Sequence, residues 1–436
     1  MFESLIKRQK IQKTLQKNIW AKTSELEELQ LQKFRVILNH AYQNVPYYHR
    51  LFRSAGLKPE DIKSYKDISK IPITTRKDLR DPKNDVIANN IKLKNCMKCK
   101  TSGSTGVPLE LTCTVEDGLY AWASYERVRR VNGYNPSHDK FLILKSAKQK
   151  SNNEKYAVKY IKKLHGKLSD QNTSLIYLTE PIHNQIELLK TINPDVIWGY
   201  PSAIKVLAKE VKERSIEKIS PRLVFTASEV LTEECRNYIT SVFNSEIYDV
   251  YGAWETGCMA WECSKHSGYH INMDTVLLEF IDESGESVCE GERGKVIATN
   301  LNAFGMPRIR YEVGDIAIPL KEECSCGMGG YLMKSVEGRE DDFIKLPNNQ
   351  IVSPRIVTVT IKNVPGVSEF QAIQEKKDTI LVNIVKEQDF DESTIHKELA
   401  RALHKVLGNE LNIESQIVED IIGDKSGKLR AVVSRI

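Results

Sequence analysis

Hydrophobic and polar positions change their period along this chain, and the changes mark out its parts. Near the N-terminus Ser24 opens the string S-E-L-E, a capping-box pattern, followed by Leu26, Leu29, Phe34, Ile37, Leu38 and Ala41 at helical spacing. The spacing predicts an amphipathic helix. Val45-Pro46-Tyr47-Tyr48 is expected to end it, because the residue before a proline disfavours helical backbone. From Phe141 the pattern switches to short apolar runs at residues 141–144, 175–178, 196–198, 223–225 and 247–250. Helical patterns lie between them near residues 186–192, 203–211 and 233–243. This alternation predicts βαβ units and a parallel sheet.

Beyond about Thr275 the runs become short strands and turns, punctuated by Gly285, Gly291 and Gly294, which predicts an antiparallel β segment. The C-terminal stretch holds a strand pattern at 379–385, an amphipathic helix at 394–406 and two more strand patterns, a small α+β domain. There is no repeat and no low-complexity linker. The expected division is therefore a large domain at 1–340 and a small one at 341–436, joined by a tight hinge.

Composition adds limits. The chain has 436 residues, 41% hydrophobic and 28% charged, an ordinary soluble globular balance. At roughly 150 residues per domain, two or three domains are expected. The 63 basic and 58 acidic residues are interspersed and leave a net charge of only +5, which argues against a nucleic-acid binder. The lysines at 92–100 and 145–167 read as solvated faces. The opening MFESLIKRQK lacks the apolar core of a signal peptide, and no run approaches the roughly 18 apolar residues of a membrane span. A cytoplasmic protein is expected, with its nine cysteines reduced, so that paired cysteine spacings point to metal before disulfides.

The most informative string is Thr101-Ser102-Gly103-Ser104-Thr105-Gly106-Val107-Pro108. Four hydroxyls and two glycines in six residues make a loop whose backbone N–H groups would converge on phosphate oxygens. Lys98 and Lys100 add positive charge just before it. It is not a Walker loop, since no G-x-x-x-x-G-K-[ST] is present. The octapeptide resembles the phosphate-binding loop of the adenylate-forming superfamily of acyl-CoA synthetases, adenylation domains and luciferases.

Later strings fit the same resemblance in the same order. Tyr251-Gly252-Ala253-Trp254-Glu255-Thr256 is similar to the family's Y-G-x-T-E motif, with Trp254 where threonine is usual. The resemblance makes Glu255 the magnesium ligand. Arg310-Tyr311-Glu312-Val313-Gly314-Asp315 resembles Y-x-x-G-D, with Asp315 on the ribose hydroxyls. Glu337-Gly338-Arg339-Glu340-Asp341-Asp342 resembles G-R-x-D, with Arg339 on ribose or phosphate and Asp341 as the hinge. Gly423-Asp424-Lys425-Ser426-Gly427-Lys428 is the stretch that carries the family's catalytic lysine; Lys428 is the match and Lys425 its rival. Ala227-Ser228-Glu229 resembles the segment beside the adenine. In Trp198-Gly199-Tyr200-Pro201-Ser202, Tyr200 and Pro201 would line the acyl pocket with Ala253 and Trp254, while core packing accounts for Trp198 equally well. Asn44 to Tyr48 and Ile71-Pro72-Ile73-Thr74 place the resemblance in the phenylacetate–CoA ligase branch, near its relatives in coenzyme F390 synthesis and capsular-polysaccharide clusters.

The resemblance implies a large N-terminal adenylate-forming α/β domain, with parallel βαβ sheets and an antiparallel β segment, and a small C-terminal α+β lid. It implies ATP and Mg2+ as cofactors, a carboxylic acid as substrate, and an acyl-adenylate passed on, with coenzyme A as the leading acceptor. An amine or hydroxyl acceptor of cell-surface polysaccharide biosynthesis and nucleotidyl transfer of the F390 synthetase type remain alternatives. A catalytically dead scaffold is disfavoured, because Glu255, Asp315, Arg339 and Lys428 are all present. A monomer or homodimer is expected. Separately, Cys263-x2-His266 and Cys324-x-Cys326-Gly327 supply three thiols and an imidazole suited to a structural Zn2+, with His270 as a rival fourth ligand and Cys96-x2-Cys99 as a rival pair.

Overall fold

The structure, a computed structural model, describes every residue except 1, 101–108, 146–171, 179, 321, 340–342, 349–350, 353, 388–389 and 422–429. The chain packs as two units, one of Met1–Val313 with Ile318–Ser335, the other of Gly314–Ala317 with Val336–Ile436.

In the first unit, β1 (Met97–Lys100) and β2 (Glu110–Cys113) form an antiparallel pair. A large sheet, most of it in this unit, follows from β3 (Phe141–Lys145), β4 (Thr173–Tyr177), β5 (Val196–Gly199), β6 (Leu223–Ala227), β7 (Glu246–Ala253), β8 (Gly257–Glu262), β9 (Tyr269–Ile271), β10 (Val276–Ile281), β11 (Gly294–Asn300), β12 (Tyr311–Leu320) and β13 (Leu332–Arg339). Its order is β10-β11-β12-β13-β9-β8-β7-β6-β5-β3-β4. The pairs among β3 to β7 are parallel, and those of β7 with β8, β8 with β9, β9 with β13 and β10 with β11 are antiparallel.

The parallel strands are mostly apolar because most of their side chains are buried on both faces. One face places Leu142, Ile197, Val224 and Ile247 against the helices Ile182–Ile192, Pro201–Glu213 and Glu233–Phe243. The other buries Phe141, Val196, Phe225, Tyr248 and Val250 with Val128 and Tyr134. The expected strands and helices are all there, longer by a residue or several at most ends, since edge residues are polar and carry no periodic signal.

The predicted N-terminal helix spans Thr23–Asn44, one residue earlier than Ser24 suggested, and the Glu25 carboxylate accepts from the Lys22 N–H at 3.1 Å. Pro46 stops it and opens a second helix, Pro46–Ser54, at a position where proline lacks only an N–H that had no helical partner. Two long helices carried no clear sequence signal. Phe2–Asn18 buries few apolar side chains, Ile11 and Leu15 among them. Val115–Val131 packs against it and hides Asp117, Glu126 and Arg127 on its inner face, which breaks its apolar stripe.

The second unit holds β14 (Ile344–Lys345) paired with β15 (Ile351–Val352), and a sheet of β16 (Val367–Lys376), β17 (Thr379–Lys386), β18 (Asn412–Ile417) and β19 (Val432–Ser434) in the order β18-β17-β16-β19. Ile380, Val382 and Ile384 alternate inward and meet Ile395, Leu399, Leu403 and Leu407 of the helix Glu392–Leu407. Strand β16 and the helix Pro354–Lys362 were not expected from the sequence.

Candidate active site

Three parallel strands deliver the predicted ligand loops to one edge. Tyr200 and Pro201 follow β5, Ser228 and Glu229 follow β6, and β7 runs into Tyr251 to Glu255. Because β5, β6 and β7 are neighbours in register, these segments leave adjacent carboxyl ends, where open parallel sheets bind ligands.

Glu255 sits in the turn joining β7 to β8, where Ala253 pairs with Gly257 and Gly257 takes a φ of 80°. Gly252 tolerates no side chain, since a Cβ there would lie 2.5 Å from the Tyr125 hydroxyl and 2.6 Å from the Gly257 carbonyl. Glu255 is 7% exposed and its Oε1 lies 3.0 Å from Arg76 Nη1. The Arg308 Nε–H donates to the Glu255 carbonyl at 2.6 Å. Tyr311 lies beside the pair; burial, with the Glu255 charge second, raises its hydroxyl pKa. Arg76 reaches this place because Thr74 is bridged to the chain around Tyr311: its N–H donates to the Arg310 carbonyl at 2.9 Å, and the Glu312 N–H donates to its carbonyl at 3.0 Å. The Ile71 to Thr74 string thus positions the arginine that grips the carboxylate, a partner that sequence reasoning missed. Its position directly after that string was the available signal. Trp254 points outward and is 67% exposed.

Neighbouring residues take structural roles. Trp198 stacks on Phe225 at 5.9 Å and meets Tyr125 edge-on at 5.6 Å, the packing alternative for that residue. The Glu229 carboxylate accepts from the Ser202 N–H at 3.1 Å, at the start of the helix Pro201–Glu213, where a negative charge favours the helix end. Ser228 has a φ of 72°.

At the seam between parallel and antiparallel pairing, Asp249 of β7 is fully enclosed. Its carboxylate accepts from the Tyr269 hydroxyl at 2.8 Å and from Thr226, and burial pushes its pKa up to about 6. Glu262 accepts the Asp249 N–H at 2.8 Å, and Arg236 Nη2 donates to both its carboxylate oxygens at 2.7 and 2.8 Å.

The cysteines correct one sequence expectation. The donor atoms that meet are those of Cys263, His270, Cys324 and Cys326, all within 4.8 Å of one another. His266 is not among them. It takes a φ of 49° in the turn after β8, stacks on Tyr248 at 5.5 Å and turns Nδ1 to within 3.6 Å of the Glu262 carboxylate. His270 lies on β9, whose pairing with β13 carries it toward the cysteines. Burial lowers its pKa to about 4, so the imidazole is neutral, the form that binds metal. The rival Cys96 and Cys99 do not join the cluster; Cys99 meets Cys113 on β2, whose S–H favours the Cys99 thiolate.

The remaining predicted residues separate into two groups. Thr101, Ser102, Gly103, Ser104, Thr105, Gly106, Asp341, Lys425 and Lys428 lie outside the described residues. The loop's flanks are described, with Lys100 of β1 paired to Glu110 of β2. In the second unit, Asp315 lies on β12 after Gly314, which has a φ of 82°, and Arg339 ends β13.

Known proteins share both the sequence and the fold. Residues 344–435 match the family described as CapK C-terminal domain. A phenylacetate-coenzyme A ligase of Thermus thermophilus is 24% identical, over 94% of this chain and 88% of that protein. One from Aromatoleum evansii is 26% identical, over 90% and 88%. The solved 2-hydroxyisobutyryl-CoA ligase in the postadenylation state in complex with 2-HIB-AMP superposes with a TM-score of 0.77 at 19% identity, covering 95% of this chain and 90% of that one. The chain is thus similar along nearly its whole length to phenylacetate-coenzyme A ligases, shares the fold of the solved CoA ligase, and matches the CapK C-terminal domain over residues 344–435.

Proposed function

We propose that this chain activates a carboxylic acid with ATP and passes the acyl group to coenzyme A. The observation that carries the reading is the convergence of Tyr200, Ser228 and the Tyr251 to Glu255 turn on adjacent strand ends, in a homologue of phenylacetate-coenzyme A ligases. A substrate carboxylate oxygen attacks the α-phosphorus, the bond to the β-phosphate oxygen breaks, and pyrophosphate leaves. The coenzyme A sulfur then attacks the acyl carbon and AMP leaves.

Glu255 suits Mg2+, which takes carboxylate and phosphate oxygens. Bound there, the ion would supply charge neutralisation to the phosphates. Arg76 holds the carboxylate in place at 3.0 Å and lends positive charge to the same corner. Thr101 to Gly106 would cradle the phosphates, Asp315 and Arg339 would hold the ribose, and Lys428 would meet the charge developing at the α-phosphate. Rotation of the C-terminal domain about Asp341 would exchange Lys428 for the acceptor. A Zn2+ on the thiol cluster would stand outside this chemistry. The reading places the protein in the cytoplasm, as a monomer or homodimer. A second reading follows the resemblance to capsular-polysaccharide-cluster relatives and makes the acceptor an amine or hydroxyl on a polysaccharide precursor.

The test is pyrophosphate release from Mg-ATP across a panel of carboxylic acids, with and without coenzyme A. Acid-dependent release with AMP and acyl-CoA formed supports the first reading, and Glu255→Gln should slow it about 100-fold. Release without acyl-CoA would move the acceptor to the second reading. No release with any acid, in a chain that also fails to bind ATP, would sink both.

A further inference from the structure

Cys263 ends β8, His270 lies within β9, and Cys324 and Cys326 occupy the turn before β13. We infer that these four side chains bind one Zn2+ in a closed tetrahedral site that fastens that turn to the β8–β9 edge. The geometry points there. Zinc bonds of about 2.3 Å to sulfur and about 2.0–2.1 Å to nitrogen give tetrahedral edges of about 3.8 Å between sulfurs and about 3.5 Å from sulfur to nitrogen. The Cys263 and Cys324 sulfurs are 3.6 Å apart, and Cys326 Sγ is 3.4 Å from His270 Nε2. A disulfide would need about 2.05 Å.

Two backbone donors face the sulfurs. The Lys265 N–H points at Cys263 Sγ at 3.4 Å and the Met328 N–H at Cys326 Sγ at 3.5 Å, each donor two residues beyond its cysteine. Such donors favour negative charge on sulfur. Gly327, with a φ of 83°, allows the tight turn between them. Trp261 packs on the His270 ring at 5.4 Å, and ligation through Nε2 would replace its present contact with Cys326 Sγ. On binding, three S–H protons pass to solvent as three Zn–S bonds and one Zn–N bond form. Four protein ligands leave no open position, so the ion is structural.

Metal content is read without any activity, so this inference and the proposed reaction fail separately. The full chain, purified without chelator, should carry one zinc by elemental mass spectrometry. Its Co2+ form should show thiolate charge-transfer bands and the intense visible bands of a tetrahedral site. His270→Ala should lose the metal, His270→Cys should keep it with a shifted cobalt spectrum, and His266→Ala should match wild type. Stripping the ion should lower Tm by on the order of 5–10 °C. A wild-type chain that holds no stoichiometric zinc and gives no tetrahedral cobalt spectrum overturns the site. So does a His270→Ala chain that keeps its metal, or a His266→Ala chain that loses it. If His270→Ala does not fold, the cobalt spectra of wild type and His270→Cys decide.

Discussion

Strands β3, β5 and β6 are covered on both faces mainly by aliphatic and aromatic side chains, whereas β8 to β11 pack against buried charge. In the parallel half the helices Ile182–Ile192, Pro201–Glu213 and Glu233–Phe243 meet Leu142, Ile197, Val224 and Ile247. Beside the antiparallel half Arg127, 1% exposed, forks onto Asp274 at 2.8 and 2.9 Å and also donates to the Leu15 carbonyl and Asn272. Arg310 pairs with Glu279 at 3.0 Å. Burial opposes the Asp274 charge, yet Arg127 and Lys33 hold its carboxyl below the ordinary range. Aliphatic packing is non-directional and forgiving, while a buried ion pair is stabilising only with both partners in place. The difference shows two ways of joining distant segments. Away from Asp249 at the seam, the parallel half rests mainly on apolar faces of the right period, whereas the antiparallel half needs particular partners, Arg127 with Asp274 and the cysteines with His270.

The comparison would break first at Asp274. Asp274→Ala leaves the Arg127 guanidinium buried without its counter-ion and should cost about 3–5 kcal/mol in urea unfolding. A cost below about 1 kcal/mol would mean that the charges do not hold this half.

The seam gives an effect of intermediate size. Asp249 has a folded pKa of about 6 against an ordinary value near 3.9, so the folded state holds its proton more tightly. Its contribution is fully present below about pH 4 and is lost as pH rises through 6. Asp249→Asn should therefore gain on wild type between pH 4 and 7, by of order 2–3 kcal/mol, read as the difference between two urea titration series. A constant difference across that window would refute the burial argument.

The smallest effect belongs to the parallel half. Ile197→Val should cost about 0.5–1.5 kcal/mol and the same amount at pH 4.5 and pH 7, because no titrating group shares its packing. A pH-dependent cost would show that the two halves are coupled.

Much of the fold was legible. Apolar runs such as residues 223–225 announced strands because a doubly buried strand has little polar face to interrupt it, and at 247–250 the signal survived the buried Asp249. Glu255 was legible as a motif, but not its grip by Arg76, which lies 179 residues away and arrives only through the pairing of Thr74 with the chain near Tyr311. The helix Val115–Val131 was missed because Asp117, Glu126 and Arg127 look solvent-facing until their partners are known.

By itself the sequence determined the periods, the order of the motifs and the set of donor types, because these depend on neighbours a few residues apart. Only the tertiary structure decided between His266 and His270. Both lie near Cys263 in the chain, but the β9–β13 pairing carries His270 to Cys324 and Cys326, whereas the turn after β8 sends His266 to Glu262. Spacing sets which residues are close along the chain, and strand pairing sets which donor atoms meet.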